Sequence, residues 1–378
     1  MLKNILLVSG SWASHERSGV AFSTEFHLNI MLEIGHKVSI LGSDKSLKRY
    51  KNKVEKVFIV KSKGSGAIYS PPLIKSSEIK QILENNHFDL LIIEGWQVPL
   101  NEAAIIESKK QGISNLVISH GVAIFPFKIN FYGLLRFAAW LPYLLIKFNK
   151  VMTSIDFLTT LSMKSTSDRF YDRDKALSIG INVKELLNTA HHEITSYTKY
   201  NNRLNQCIVI GYFSHVKNQL ELINYIELFP KNLKIKFIGK CKGNYFNKCI
   251  NKVNQRNLQN RVEFVNSAEC NVQNELSNSK YLILCSITEA LPITLIESMS
   301  AGTPFVSTNV GSISSLKGGM TVNHVAEIPN AIKKINSDKN IWEKLSDDGR
   351  HEYKLKYSKK VITNEFRSLL DNIFNKKT

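Results

Sequence analysis

Residues 286–311 read Ser-Ile-Thr-Glu-Ala-Leu-Pro-Ile-Thr-Leu-Ile-Glu-Ser-Met-Ser-Ala-Gly-Thr-Pro-Phe-Val-Ser-Thr-Asn-Val-Gly. The apolar run just before them, Tyr281 to Leu284, predicts a buried strand, and a polar loop carrying Glu289 follows it. Pro292 suits the first turn of a helix, where its missing N–H costs nothing. That helix runs through Glu297, Gly302 and Pro304 end it, and Phe305-Val306-Ser307-Thr308 predicts the next strand. One carboxylate therefore sits in the loop above a strand, and a second lies inside the helix that the loop opens. In open α/β sheets ligands bind in the crevice outside the carboxyl ends of the strands. Helix-start amides hold anions, and carboxylates accept hydrogen bonds from sugar hydroxyls. A nucleotide sugar presents both kinds of group.

The spacing Glu289-x7-Glu297, with Leu291-Pro292 between and Ala301-Gly302-Thr303-Pro304 after, resembles the signature of glycosyltransferase family 4, the "glycosyl transferases group 1". The resemblance covers nearly the whole chain and is strongest at 207–218 and 279–311. It implies an α/β protein of the GT-B fold: two Rossmann-like domains facing across a cleft, with a last helix crossing back to the first domain. It also implies transfer of a sugar from a nucleotide diphosphate sugar, with retention at the anomeric carbon, no metal, and no cofactor beyond the donor substrate. In that frame Lys217 and the helix start at Leu291, Pro292 and Ile293 bind the diphosphate and nearby hydroxyls. Glu289 holds the transferred sugar, and Glu297 accepts hydrogen bonds from the ribose. His120, at the end of the run Leu116 to Ser119, resembles the family's histidine that touches the donor sugar. His120 and Glu289 are thus the expected catalytic pair.

Further matches are looser. The loop Gly211-Tyr212-Phe213-Ser214-His215-Val216-Lys217-Asn218 follows one predicted strand and precedes a helix. Gly211 lets backbone approach a ligand, and Lys217 meets a diphosphate as a point charge. Tyr212 stands where the family usually has arginine, leaving one cation fewer on the leaving group unless His215 compensates. Gly239, after Phe237-Ile238, matches a turn near the nucleotide, or is simply a strand-to-helix turn. Gly19 resembles one glycine of the family's Gly-Gly loop, and Ser18 replaces the other.

Elsewhere the chain alternates short apolar runs with helical patterns, which implies parallel sheets covered on both faces. In the first half the strands are expected at Asn4 to Ser9, Lys37 to Leu41, Val57 to Val60, Asp89 to Ile93, Leu116 to Ser119 and Phe157 to Ser162. Helices open at Gly19 and fill 77–85, 99–111 and 163–171. The pattern weakens at 188–206, a candidate linker, and a second series starts at Cys207, with strands at Ile235 to Ile238 and Val262 to Val265. With 378 residues the chain exceeds a single core. We expect domains over 1–195 and 206–357, and an amphipathic helix over 358–378 returning to the first.

The five cysteines form no C-x-x-C pair, and the N-terminus enters a strand without a signal-peptide pattern, so a reducing, cytoplasmic setting is expected. A net charge of +18 attracts polyanions. No zinc-finger, RRM or basic-helix signature points to nucleic acid, and no Asp-x-Asp or H-E-x-x-H points to a metal. Residues 123–150 combine aromatics (among them Phe125, Phe127, Trp140, Tyr143 and Phe148) with Lys128, Arg136, Lys147 and Lys150. Its uncharged apolar stretch, Phe137 to Ile146, is too short to span a bilayer, which takes about 20 residues, and is interrupted by Pro142. The segment either lies on an anionic membrane, aromatic face down, or packs as a long helix into the first domain. The expected partners are a nucleotide sugar and a glycan acceptor, lipid-linked and at the inner membrane face, in surface polysaccharide or lipopolysaccharide assembly. Ser9 to Arg17 and the loop after His120 are the candidate acceptor loops. A nucleotide-sugar 2-epimerase, or a non-catalytic sugar-nucleotide or glycan binder, are the alternative readings.

Overall fold

A computed structural model describes residues 2–13, 18–64, 70, 72–122, 131–194 and 197–375, without the side chains of 131, 132 and 136. The chain divides into two units, Met1–Leu186 with Thr363–Thr378, and Leu187–Ile362. Residues 187–194 belong to the second unit, ahead of the expected boundary at 195, because they bond into it. Asn188 Nδ2 donates to the Leu291 carbonyl, Thr189 Oγ1 to that of Tyr357, and the Ile194 N–H to Ser300 Oγ.

The first unit holds β1 (Asn4–Ser9), β2 (Lys37–Gly42), β3 (Val57–Ile59) and a small antiparallel pair, β4 (Ser62–Lys63) with β5 (Leu73–Ile74). Then come β6 (Leu90–Glu94), β7 (Asn115–Ile118), β8 (Phe157–Thr160) and β9 (Asn182–Glu185). Seven of them form one parallel sheet in the order β3-β2-β1-β6-β7-β8-β9. Ile5 to Leu7 and Leu90 to Ile93 are fully buried. Strands covered on both faces are written as unbroken apolar runs, which is why they are visible in the sequence.

The second unit holds β10 (Leu204–Ile210), β11 (Lys234–Gly239), β12 (Val262–Asn266), β13 (Ser279–Leu284), β14 (Phe305–Thr308) and β15 (Gly319–Val322), all parallel, in the order β12-β11-β10-β13-β14-β15. In each sheet the strand order reverses once, between β1 and β6 and between β10 and β13. These reversals are the places where such sheets bind ligands.

Several expectations need correction. The helix expected at 163–171 is a loop and a short 3₁₀ turn, and the α-helix is Tyr171–Ser178. Arg173 holds the loop in place: its guanidinium donates to the Ser162 and Ser165 carbonyls. Strand β10 begins inside the candidate linker. Edge strands β9 and β15 were not expected, because their partly exposed residues do not form an apolar run.

In the 123–150 segment, 123–130 lie outside the described residues, as do 14–17 of the first acceptor-loop candidate. From Phe131 the chain is helical to Met152, and Pro142 does not break it: a π-helical turn, Tyr143–Phe148, absorbs the missing N–H. Its described aromatics do not form an outward face. Trp140, Tyr143 and Phe148 are buried, and Tyr143 donates to Glu102, which also pairs with Lys147. What faces out is aliphatic: Leu134, Leu135, Leu141, Leu145 and Ile146 are exposed. Among the described residues no helix is long and apolar enough to cross a membrane.

Candidate functional site

In the second unit two loops leave the strands on either side of the reversal. After β10 the chain turns at Gly211, whose N–H donates to the Ile238 carbonyl, and reaches Lys217 and the left-handed Asn218. After β13 it runs through Cys285 and Ile287 to Glu289. The two loops are stitched together: the Ile287 N–H donates to the Val216 carbonyl at 2.8 Å and Cys285 Sγ to that of Lys217 at 3.1 Å. Lys217 Nζ then lies 2.6 Å from Glu289 Oε1. The structure thus joins a cation and a carboxylate 72 positions apart in sequence.

Glu289 is held from behind by residues the sequence reading passed over. Gly311 has φ +63°, and a Cβ there would sit 2.2 Å from the Glu289 carbonyl oxygen. Both the N–H and the hydroxyl of Ser312 donate to the Ala290 carbonyl. Gly239 has a similar packing reason: its Cβ would meet the Gly211 carbonyl oxygen at 2.3 Å. That glycine lets two strand ends close up, whatever else it does.

The helix is Ile293–Ala301, and Pro292 is its extended N-cap, one position earlier than expected. Since proline has no N–H, the first-turn donors are those of Ile293 and Thr294, while the Leu295 N–H bonds back to Pro292. Leu291 and Pro292 are buried. Thr294, not singled out in the sequence, has a shielded hydroxyl with no hydrogen-bond partner among the described residues. One turn on, burial pushes the Glu297 carboxyl up to about 7, opposed by a hydrogen bond from the His191 backbone. Gly302 ends the helix with φ +63°. Tyr212, in the arginine position, is about half exposed, and its carbonyl accepts from Gln219. His215 packs on the Tyr245 ring.

In the first unit Gly19 is the first residue of the helix Gly19–Ile34, and Ser18 caps it by accepting from the Ala21 N–H. The residue in place of the second glycine thus has a capping task of its own. His120 lies two residues past β7, and its Nε2 is 3.0 Å from Glu94 Oε2. Glu94, the last residue of β6, was missed because the apolar run ends just before it. The positions expected in the first unit and those in the second each gather beside their own sheet's reversal.

The fold defines a class: α/β with Rossmann-like parallel sheets, the GT-B fold. The crystal structure of Anabaena Alr3699/HepE in complex with UDP-glucose matches it with a TM-score of 0.72 at 13% identity, covering 98% of this chain and 100% of that one. Residues 191–352 match the family model "Glycosyl transferases group 1". The chain is 31% identical over 123 residues to the Staphylococcus aureus "Capsular polysaccharide biosynthesis glycosyltransferase CapH", covering 31% of this chain and 34% of that protein. It is 32% identical over 150 residues to the Campylobacter jejuni (subsp. jejuni serotype O:2) "GalNAc-alpha-(1->4)-GalNAc-alpha-(1->3)-diNAcBac-PP-undecaprenol alpha-1,4-N-acetyl-D-galactosaminyltransferase", covering 39% and 40%. These matches span well under half the length of the curated relatives.

Proposed function

We propose that the protein is a retaining glycosyltransferase that moves a hexosyl-type sugar from a nucleotide diphosphate sugar to a lipid-linked glycan during surface polysaccharide or lipopolysaccharide assembly. The observation that carries this reading is the Lys217–Glu289 pair at the mouth of the second sheet's reversal, beside a helix start whose next turn bears Glu297. The named relatives in capsule and undecaprenol-linked glycan synthesis support the acceptor class, and the UDP-glucose complex of the Anabaena protein supports the donor class.

The chemistry required is to stabilise charge growing on the departing diphosphate while the donor stays positioned. Lys217 and the first-turn N–H groups of Ile293 and Thr294 take that charge, in place of a metal ion. Glu289, anchored through Gly311 and Ser312, accepts from the hydroxyls of the transferred sugar. Glu297 accepts from the ribose, and the role proposed for His120 is a hydrogen bond to a donor-sugar hydroxyl. Gly211 and Gly239 keep the backbone low enough for the nucleotide, and Gly19 does so in the first unit.

We further assign the membrane contact to the aliphatic stripe. Leu134, Leu135, Leu141, Leu145 and Ile146 recur at helical spacing over roughly 18 Å at 1.5 Å per residue. Asn149 and Lys150, also exposed, continue the stripe. An apolar face with Lys150 at its end, on a chain of net charge +18, fits the interface of an anionic bilayer at the cytoplasmic side.

The test is incubation with UDP-, GDP- and ADP-sugars and a membrane lipid extract, read by mass spectrometry. Lipid carrying one added sugar supports the reading. Conversion of the donor alone, without acceptor, would instead identify an epimerase.

A further inference from the structure

We propose that Glu94, braced by His27, is the positioning residue of His120: it fixes the ring's orientation and places its proton on Nε2. The inference rests on the reading that His120 contacts the donor sugar, and adds how that contact is made.

Three elements of the first unit converge on one carboxylate. Glu94 closes β6 with a fully buried side chain, His27 comes from the helix Gly19–Ile34, and His120 follows β7. His27 Nδ1 bonds Glu94 Oε1, and His120 Nε2 is 3.0 Å from Oε2. Each carboxylate oxygen therefore has its own imidazole.

The backbone beneath is fixed as well. Asn101 Nδ2 donates to the carbonyls of both Glu94 and Gly95, at 2.8 and 2.9 Å. The Gly95 N–H donates to the Ile118 carbonyl, tying the end of β6 to the end of β7. Gly95 at φ +74° and Gln97 at φ +63° make the sharp turn away from the strand. On the far side the His27 ring lies 4.4 Å, centre to centre, from that of Phe366, which is itself fully buried. A carboxylate buried this deeply is costly unless it is paired. Burial pushes the Glu94 carboxyl up, but the two histidines outweigh it and hold it down to about 2.

The consequence is chemical. An ionised carboxylate only accepts hydrogen bonds. Both facing nitrogens, His27 Nδ1 and His120 Nε2, must therefore carry hydrogen. Neutral His120 then has its lone pair on Nδ1, making it an acceptor for a sugar hydroxyl. A partner that holds one ring nitrogen in this way sets the tautomer and the aim of the other.

The test reads the tautomer first, in unreacted full-length protein labelled with 15N-histidine, with the His120 signals assigned by their loss in His120→Gln. The expected result is a pyrrole-type Nε2 and a pyridine-type Nδ1. Glu94→Gln keeps the shape but offers one acceptor oxygen and one NH₂ group, so it cannot accept from both rings. It should reverse or average the tautomer of His120 or His27. It should also lower kcat roughly 10- to 100-fold while the donor KM stays within about threefold, since Glu94 touches no substrate. His27→Gln retains an N–H donor for Glu94 and should keep the His120 tautomer and most of kcat. A wild-type His120 protonated on Nδ1, or a Glu94→Gln enzyme with unchanged kcat, overturns the inference while leaving transfer itself intact. Failure of the transfer reading shows separately, as a wild-type protein that moves no sugar whatever its tautomer.

Discussion

Lys217 Nζ lies 2.6 Å from Glu289 Oε1, joining the loop that leaves β10 to the loop that leaves β13. Both side chains are mostly buried, 26% and 14% exposed, and the cost of desolvating two charges offsets much of their attraction, so the pair is weak evidence for stability. On the proposed reading its value lies in position, with a cation for the diphosphate and an acceptor for the sugar held at one mouth. Glu289→Ala should cut transfer by roughly 100-fold or more while nucleotide binding, followed by calorimetry, stays largely intact. Lys217→Ala should weaken binding and turnover together. The double variant should fall short of the product of the two single losses, because groups that act as a unit are not additive. Fully additive losses would argue that the two residues work apart.

Glu297 supplies a pH dependence. Its folded value of about 7 lies above the ordinary 4.5, so the folded state binds this proton more tightly than the unfolded chain does. Its stabilising contribution is whole below about 4.5, declines as pH rises toward 7, and is lost above that, a change of about 3 kcal/mol. Glu297→Gln cannot ionise. The melting temperature of the variant relative to wild type should therefore be several degrees higher at pH 8 than at pH 4.5. Ribose hydroxyls favour the ionised form, so nucleotide binding near pH 6.5 should release protons. Calorimetry in buffers of different ionisation enthalpy measures that release, and a buffer-independent heat would count against a ribose contact.

Gly311 offers a test of the support behind Glu289. With φ +63° and a Cβ position 2.2 Å from the Glu289 carbonyl oxygen, Gly311→Ala has to displace the loop. The expected cost is roughly 1–3 kcal/mol in urea unfolding. Transfer should fall more than the folded fraction does, since the displaced residue is the carboxylate proposed to hold the sugar. An active, equally stable variant would show that the loop gives way freely.

The aliphatic stripe separates membrane binding from folding. Leu145 and Ile146 are 69% and 77% exposed, so Leu145→Glu with Ile146→Glu should change stability by no more than about 0.5 kcal/mol per site. Flotation with vesicles rich in anionic lipid should nevertheless be lost. Retained flotation would place the membrane contact elsewhere.

The sequence made much of this architecture legible for one physical reason. Strands buried on both faces carry unbroken apolar runs, such as Ile5 to Val8 and Leu90 to Ile93, and helix ends such as Gly35 and Gly302 need a left-handed residue. Where burial is one-sided the signal fades. Edge strands Asn182–Glu185 and Gly319–Val322 look like loops, and the helix at 131–152 shows its aromatics without revealing that Trp140, Tyr143 and Phe148 are buried. The site followed the same pattern. Glu289, Glu297 and Lys217 stand in recognisable local spacings. Glu94 acquires meaning only when a parallel sheet brings β6 beside β7, and Gly311 only when β14 runs beside β13. Neither neighbour can be read from a one-dimensional pattern.

The most direct test follows the acceptor. Wild-type and Glu289→Ala proteins, each with a UDP-sugar and membrane lipid extract, are compared by mass spectrometry of the lipid fraction. Wild type should yield lipid heavier by one sugar residue together with free UDP, and the variant should yield neither above background. Equal product from both proteins, or a wild type that binds the nucleotide sugar yet leaves every lipid unchanged, would contradict a transferase built around Glu289.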